Sequence, residues 1–174
     1  MTLKAINPDQ PSILSVVLEF PRVINEKAAR TVAAVVALTG AVALAAGAHW
    51  LLVPLAYGFW ARVLAGPRFS PLAQLATKVV APRLGTPREV PGPPKRFAQG
   101  MGAAITTLGV LALALGWSTV TGALLAALVV AATLEAALGL CIGCRIFALL
   151  MRAGLIPETV CVECADVSAR LQRA

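Results

Sequence analysis

The sequence predicts an all-α integral membrane protein with four transmembrane helices in two tandem helical hairpins, each followed by a short interfacial helix. Of the 174 residues, 59% are hydrophobic and only 13% are charged, and the mean hydropathy is +0.82. Two stretches, Thr31–Ala61 and Phe97–Leu134, contain no Lys, Arg, Asp or Glu. Soluble domains carry about a quarter charged residues, and uncharged apolar stretches beyond about 18 residues are typical of membrane helices.

The four predicted spans follow these uncharged stretches in order. The first, Glu26–Ala46, is rich in small residues that favour close helix packing. After a tight turn comes the second, Trp50–Gly66, which Pro54 is expected to bend. The third and fourth predicted spans are Phe97–Leu115 and Val120–Leu140, which another short turn separates.

The remaining segments complete the predicted organisation. Leu72, Leu75, Ala76 and Val79 have the spacing of one apolar helix face, which predicts a short interfacial helix after the second span. Residues 1–27 carry several charges and no uncharged apolar region before a cleavage site, so no signal peptide is expected. The predicted segments are an N-terminal cytoplasmic or interfacial segment (1–25), a first hairpin repeat (26–86), a proline-rich linker (87–95), a second hairpin repeat (96–155) and a cytoplasmic tail (156–174).

The first uncharged stretch is 31 residues long, which is short for two spans of about 20 residues each. Two full spans require Arg30 and Arg62 to extend from within the helix ends towards the membrane surface. A re-entrant hairpin is the alternative, and it would leave the same segments on the same side of the membrane.

An offset of 69 residues aligns the two halves of the chain and predicts an internal duplication. At this offset Cys141 and Cys144 replace Leu72 and Leu75, so the first copy builds the same element without thiols. The matching pairs are Gly40 with Gly109, Gly47 with Gly116, Gly85 with Gly154, and Arg83 with Arg152.

The basic residues predict the orientation in the membrane. All 15 lie in the terminal or central segments or within about a turn of them, and the two short turns at 47–50 and 116–119 contain none. Because basic residues are enriched in cytoplasmic segments, both termini and the central segment are expected in the cytoplasm. The net charge of +7 is thereby explained by orientation in a lipid bilayer, and no nucleic-acid partner is expected.

All four cysteines form two C-x2-C pairs, Cys141/Cys144 and Cys161/Cys164, separated by 16 residues. One interpretation is thiol redox or sulfur-handling chemistry with a soluble cytoplasmic thiol or sulfur-carrier protein, in which the adjacent Arg145 supports a thiolate. A second is a four-cysteine zinc site that makes the protein an assembly or binding subunit. In a third, the thiols are small buried apolar side chains without chemistry.

Glu135 is the only acidic residue inside a predicted span. Carboxylates within membranes are costly and often functional, so Glu135 is a possible proton acceptor, and it also allows a small transporter with a path between the repeats. The bland alternative is a side chain that reaches back to the membrane surface. His49, the single histidine, is expected to be a turn residue at the interface.

Two stretches of the chain resemble a known family. These are Pro93-Pro-Lys-Arg-Phe-Ala-Gln99 and the stretch from Cys141 to Cys164, which contains both cysteine pairs. They resemble the bacterial membrane family called domain of unknown function 4395, over about residues 90–168 with a weaker match upstream. The resemblance implies paired cysteines in a multi-pass protein of the bacterial inner (cell) membrane.

Overall fold

The computed structural model describes residues 20–161 and residue 164, and this part of the chain is mostly helical. The predicted N-terminal segment and tail therefore lie largely outside the described residues. The described elements, in order, are β1 (Val23–Asn25), α1 (Glu26–Ala45), a 3-10 turn (His49–Leu51), α2 (Leu52–Ala65), a 3-10 turn (Gly66–Arg68), α3 (Pro71–Leu75), a π-helical turn (Ala76–Val80), α4 (Ala81–Arg83), β2 (Glu89–Pro91), α5 (Gly92–Ala114), α6 (Ser118–Leu138), α7 (Ile142–Arg152) and a 3-10 turn (Glu158–Val160).

Three helices, α1, α5 and α6, are long and apolar enough to cross a membrane. The prediction of four membrane-length helices is wrong, because α2 has only 14 residues and a length of about 21 Å. The hydrocarbon core of a bilayer is about 30 Å thick. Its shortness follows from the length of the first uncharged stretch. Pro54 lies in the first turn of α2, where its missing N–H group breaks no helical hydrogen bond.

The helices pack crosswise between the two halves of the chain. Helix α1 packs along α6, and α2 packs along α5, whereas α1 and α2 contact each other little. The prediction of a packed first hairpin is therefore wrong. Glycines explain the choice of partner, because a Cβ atom on Gly40 of α1 would lie 2.6 Å from Val129 of α6. On α5, a Cβ atom on Gly102 would lie 2.2 Å from the ring of Phe59 of α2.

Small residues fill the interior, and large apolar residues cover the outside. Ala43 and Ala103 are almost completely buried, while Leu38 and Leu111 expose 65% and 55% of their surfaces. Close packing of small side chains drives helix association in membranes, where lipid solvates large apolar side chains as well as protein does. This distribution fits lipid contact around the helices.

A two-stranded antiparallel ribbon joins the beginnings of the two halves. Strands β1 and β2 pair with Val23 opposite Pro91, and the Gly92 amide donates to the Arg22 carbonyl at 2.6 Å. The predicted linker 87–95 is therefore a strand followed by the first turn of α5. Pro93 and Pro94 fit that turn because the first residues of a helix need no N–H partner within it.

The predicted interfacial helix after the second span is present as the α3–α4 segment, but it is rotated. Ala73, Ala76 and Ala81 are buried, whereas Leu75 and Val79 of the predicted apolar face are exposed. The alanines pack towards α1 because only small side chains fit there, and the leucine face is turned outwards.

The same order of elements recurs in the second half, where α5, α6 and α7 follow β2 as α1, α2 and the α3–α4 segment follow β1. Gly47 and Gly116 both have a positive φ, and so do Gly85 and Gly154. Each pair is separated by 69 residues, the offset found in the sequence. The duplication itself stays a prediction, which these shared backbone conformations favour.

The close approach of α5 to α2 yields a first prediction. Gly102→Ala is expected to lower the unfolding midpoint in detergent and cost about 1–3 kcal/mol, because the new methyl group would overlap the ring of Phe59. Gly100→Ala is the matched control on the same helix, since a Cβ atom there meets nothing within 4 Å. Equal midpoints for the two variants in a thermal-unfolding measurement would contradict this packing.

Candidate functional site

Cys141 is the N-cap of α7 and directs its sulfur at the beginning of that helix. The Cys144 backbone N–H donates to Cys141 Sγ at 3.4 Å, and the backbone of Cys141 is extended (φ −85°, ψ 106°). A helix N-terminus stabilises negative charge, and thiolates at this position are favoured. The C-x2-C spacing thus places one sulfur in the cap and the other in the first turn.

Glycine allows α7 to lie directly against α5. A Cβ atom on Gly143, between the two cysteines, would lie 2.5 Å from Ala98 Cβ and 2.6 Å from Ala98 Cα. One turn further along, the rings of Phe147 and Phe97 pack with their centroids 5.7 Å apart. These contacts fix the dithiol beside the first turns of α5.

A buried ion pair joins α5 to α6 next to the thiols. Lys95 Nζ lies 2.5 Å from Glu135 Oε1, and the two side chains expose 8% and 16% of their surfaces. Gly139, with φ 68°, ends α6, and α7 begins at Ile142. So short a connection keeps the carboxylate of Glu135 close to Cys141.

The two thiols differ in acidity. The pKa of Cys141 is lowered, chiefly because the Cys144 thiol donates a hydrogen bond to its sulfur, and the Lys95 cation adds to this effect. Burial and the Glu135 carboxylate oppose the lowering. The pKa of Cys144 is raised, because ionisation would remove the hydrogen bond that its thiol donates to Cys141 and because it is buried. Cys141 is therefore the thiol that ionises first.

Two cavities meet at Cys141. An inner cavity of about 90 Å³ lies among α1, α2, α5 and α6, and its polar lining consists of Arg62, Gln99 and Glu135. An outer pocket of about 320 Å³ opens on the other side of Cys141 and also contains Cys144. Its charged lining residues are Glu26, Arg88, Lys95 and Arg145. Cys141 itself is 8% exposed and lines both spaces.

The two arginines expected to extend towards the membrane surface are engaged inside the protein. Arg30 donates to the carbonyl oxygens of Ala136 and Ala137 at 2.8–3.1 Å, at the end of α6. Arg62 is 6% exposed and donates to Gln99 Oε1 at 2.8 Å. The expectation that they reach outwards is wrong, because unpaired helix carbonyls and a buried amide offer stronger partners.

The second cysteine pair is in a different state from the first. Cys161 and Cys164 form a disulfide with Cα atoms 5.2 Å apart, whereas Cys141 and Cys144 are free thiols. Among residues 20–161 and 164, no group of three or more His, Cys, Asp or Glu side chains is placed to hold a metal ion. The structure therefore does not assemble the four-cysteine site of the zinc interpretation.

The structure brings Cys141, Cys144 and Glu135 together as the sequence predicts, and Arg145 lies at the exposed rim of the outer pocket. Sequence reasoning missed Lys95, the cation that acts on Cys141. A signal for it existed, since a carboxylate within a membrane helix requires a partner and Lys95 begins a neighbouring apolar stretch. His49 lies in a turn at the other end of α2, away from these residues.

Comparison with known proteins identifies the family. The family model described as "Domain of unknown function (DUF4395)" matches residues 24–152, and the chain belongs to this family. No curated protein and no solved structure matches the chain.

The electrostatics of the site yield a second prediction. Lys95→Gln is expected to raise the pKa of Cys141, because the nearby cation is lost, and to slow its alkylation at pH 7 about three- to tenfold. Glu135→Gln should lower the pKa and speed the reaction. The measurement is the pH dependence of iodoacetamide alkylation of Cys141, followed by peptide mass spectrometry.

Lys78→Gln is the control, because Lys78 is an exposed lysine that does not line the outer pocket. Lys95→Gln leaves a buried carboxylate unpaired, so the double variant Lys95→Gln/Glu135→Gln serves as a folded reference without either charge. A Cys141 pKa that is the same in all of these proteins would show that the ion pair does not act on the thiol.

Proposed function

We propose that this member of the DUF4395 family is a membrane thiol–disulfide exchange protein whose reactive dithiol is Cys141/Cys144. One observation carries the proposal: Cys141 Sγ is the cap of α7, accepts the Cys144 N–H at 3.4 Å, and lines an open pocket. A cap position, a neighbouring cation and access from outside are the features of reactive cysteines, and inert structural cysteines lack them.

The exchange proceeds in two displacement steps. The Cys141 thiolate attacks one sulfur of a substrate disulfide, forms a mixed disulfide and expels the other substrate sulfur as a thiolate, which takes up a proton. The Cys144 sulfur then attacks Cys141 Sγ, closes the Cys141–Cys144 disulfide and releases the second substrate thiol. Two electrons and two protons pass from the protein to the substrate, which leaves as two thiols.

The second pair supports a redox function as well. Cys161–Cys164 is a disulfide while Cys141/Cys144 is a dithiol, so the chain carries both the oxidised and the reduced form of one motif. A zinc site would hold all four sulfurs as thiolates on one ion, which does not fit a disulfide between two of them. We propose the second pair as a further exchange partner in the same chain.

We place the dithiol at the cytoplasmic face of a bacterial inner membrane, where soluble thiol proteins or sulfur carriers are available as partners. The support is the distribution of basic residues, which surround the outer pocket and are absent from both short turns. Both chain termini lie on the cytoplasmic side in this arrangement, and the short α2 returns the chain to that side.

Sidedness gives a third prediction. In a cysteine-free background, Ser118→Cys should react with a membrane-impermeant maleimide on intact cells, while Thr86→Cys should react only after lysis. Both positions are exposed in the structure, so a difference in labelling reports the side of the membrane. Labelling of Thr86→Cys but not of Ser118→Cys on intact cells would invert the orientation.

The fourth prediction concerns the roles of the two thiols. Cys144→Ser should accumulate a mixed disulfide on Cys141, because the resolving sulfur is missing, whereas Cys141→Ser should react at least about tenfold more slowly. Intact-mass spectrometry after incubation with oxidised thioredoxin or hydroxyethyl disulfide measures both, and it would reveal a persulfide on Cys141 if sulfane sulfur is transferred.

Metal content is measured on the same preparations. We expect purified protein without bound zinc, in which Cys141 and Cys144 are titratable with thiol reagents. One tightly held zinc that is lost on replacement of any single cysteine would overturn the exchange function in favour of a structural zinc site.

A further inference from the structure

The outer pocket has the size of a small-molecule site and not of a protein-docking surface. Its volume is about 320 Å³, at the lower end of the range of about 300–1,000 Å³ for ligand pockets. Cys141 is 8% exposed, so a substrate sulfur must enter the pocket to reach Cys141 Sγ. A slender disulfide meets this requirement, whereas a disulfide embedded in a folded protein surface does not.

The charges around the pocket favour an anion. Three cations line it, Arg88, Lys95 and Arg145, against one carboxylate, Glu26. Arg88 is paired with Glu26 at 2.9 Å and Lys95 with Glu135 at 2.5 Å. Within residues 20–161 and 164, Arg145 takes part in no ion pair, and its side chain is exposed at the rim beside Cys144. The pocket thus has a surplus of positive charge that its own carboxylates do not cancel.

From this arrangement we infer that the substrate is a small disulfide that carries carboxylates close to its sulfurs. Its carboxylate is bound at the rim by Arg145, and its disulfide reaches Cys141 at the bottom of the pocket. This inference rests on the exchange function proposed above and adds the substrate class. The reaction is Cys141/Cys144 dithiol plus disulfide to Cys141–Cys144 disulfide plus two carboxylate-bearing thiols, a balanced two-electron exchange.

Three disulfides of similar size and different charge test the inference: 3,3′-dithiodipropionate (anionic), hydroxyethyl disulfide (neutral) and cystamine (cationic). The full-length protein with Cys161→Ser and Cys164→Ser has one dithiol, so its oxidation rate reports on Cys141/Cys144 alone. Each rate constant is divided by that of the same disulfide with dithiothreitol, which removes the intrinsic reactivity of the three reagents.

We expect the corrected rate to be about tenfold or more higher for the anionic than for the cationic disulfide, because a pocket of one charge sign concentrates ions of the opposite sign. The preference should shrink when ionic strength rises from about 0.01 M to about 1 M, which shortens the Debye length from about 30 Å to about 3 Å. Arg145→Gln should reduce the ratio of anionic to neutral rates several-fold, and Arg145→Lys should retain it.

The ratio separates substrate binding from an effect of Arg145 on the thiols. A changed thiol pKa alters all three rates together, whereas a lost carboxylate contact alters only the anionic rate. Arg152→Gln is the matched control, since Arg152 ends the same helix and does not line the pocket.

Equal corrected rates for the three disulfides would overturn the anionic substrate class and leave the exchange function intact. Oxidation by oxidised thioredoxin but by none of the small disulfides would likewise overturn the inference, in favour of a protein substrate. If the reduced dithiol reacts with none of the four oxidants, both the substrate class and the exchange function are overturned.

Discussion

The buried ion pair between Lys95 and Glu135 is the interaction on which the site depends. A charge buried without a partner is expensive in protein and more so in a membrane helix, so each residue requires the other. Their 2.5 Å contact links α5 to α6 at the point where α7 begins. The same lysine lies close enough to Cys141 to act on its pKa, so a structural requirement of the helices also sets the chemistry of the thiol.

Close backbone packing brings the thiols to this ion pair. Gly143 lies against the backbone of Ala98, and any larger residue would push α7 away from α5. The glycine within Cys-Ile-Gly-Cys therefore has a packing role that the cysteine spacing alone does not reveal. In the first half of the chain Ser70 is the cap of α3 and accepts the Ala73 N–H at 3.4 Å, as Cys141 accepts the Cys144 N–H. A hydroxyl thus occupies the cap position that a thiol occupies in the second half.

Hydropathy located the helices well, because the length of an uncharged stretch limits where a span fits. Glu26–Ala46 was predicted and Glu26–Ala45 is helical, and the predicted Val120–Leu140 corresponds to Ser118–Leu138. Helix pairing could not be predicted in this way, since it depends on which glycine faces which large side chain. The proline-rich segment was read as a linker because prolines interrupt helices, yet they are compatible with a first turn.

The candidate site was predicted in part for the same reason. The cysteine spacing is a local pattern, and it led directly to Cys141 and Cys144. Lys95 lies 40 residues before Glu135, and only the packing of α5 on α6 brings the two together. The sequence also offered Arg145 as the cation nearest to the thiols, because it adjoins Cys144, but proximity along a helix does not place its charge on the sulfur of Cys141.

The most direct test of the central claim is a redox titration of the purified full-length protein. It would be equilibrated in dithiothreitol buffers of graded potential and alkylated, and the state of each cysteine pair would be read by peptide mass spectrometry. The account predicts that Cys141 and Cys144 oxidise together and reversibly, as one two-electron couple. A pair that stays reduced at every potential, or that oxidises only one thiol at a time, would contradict it.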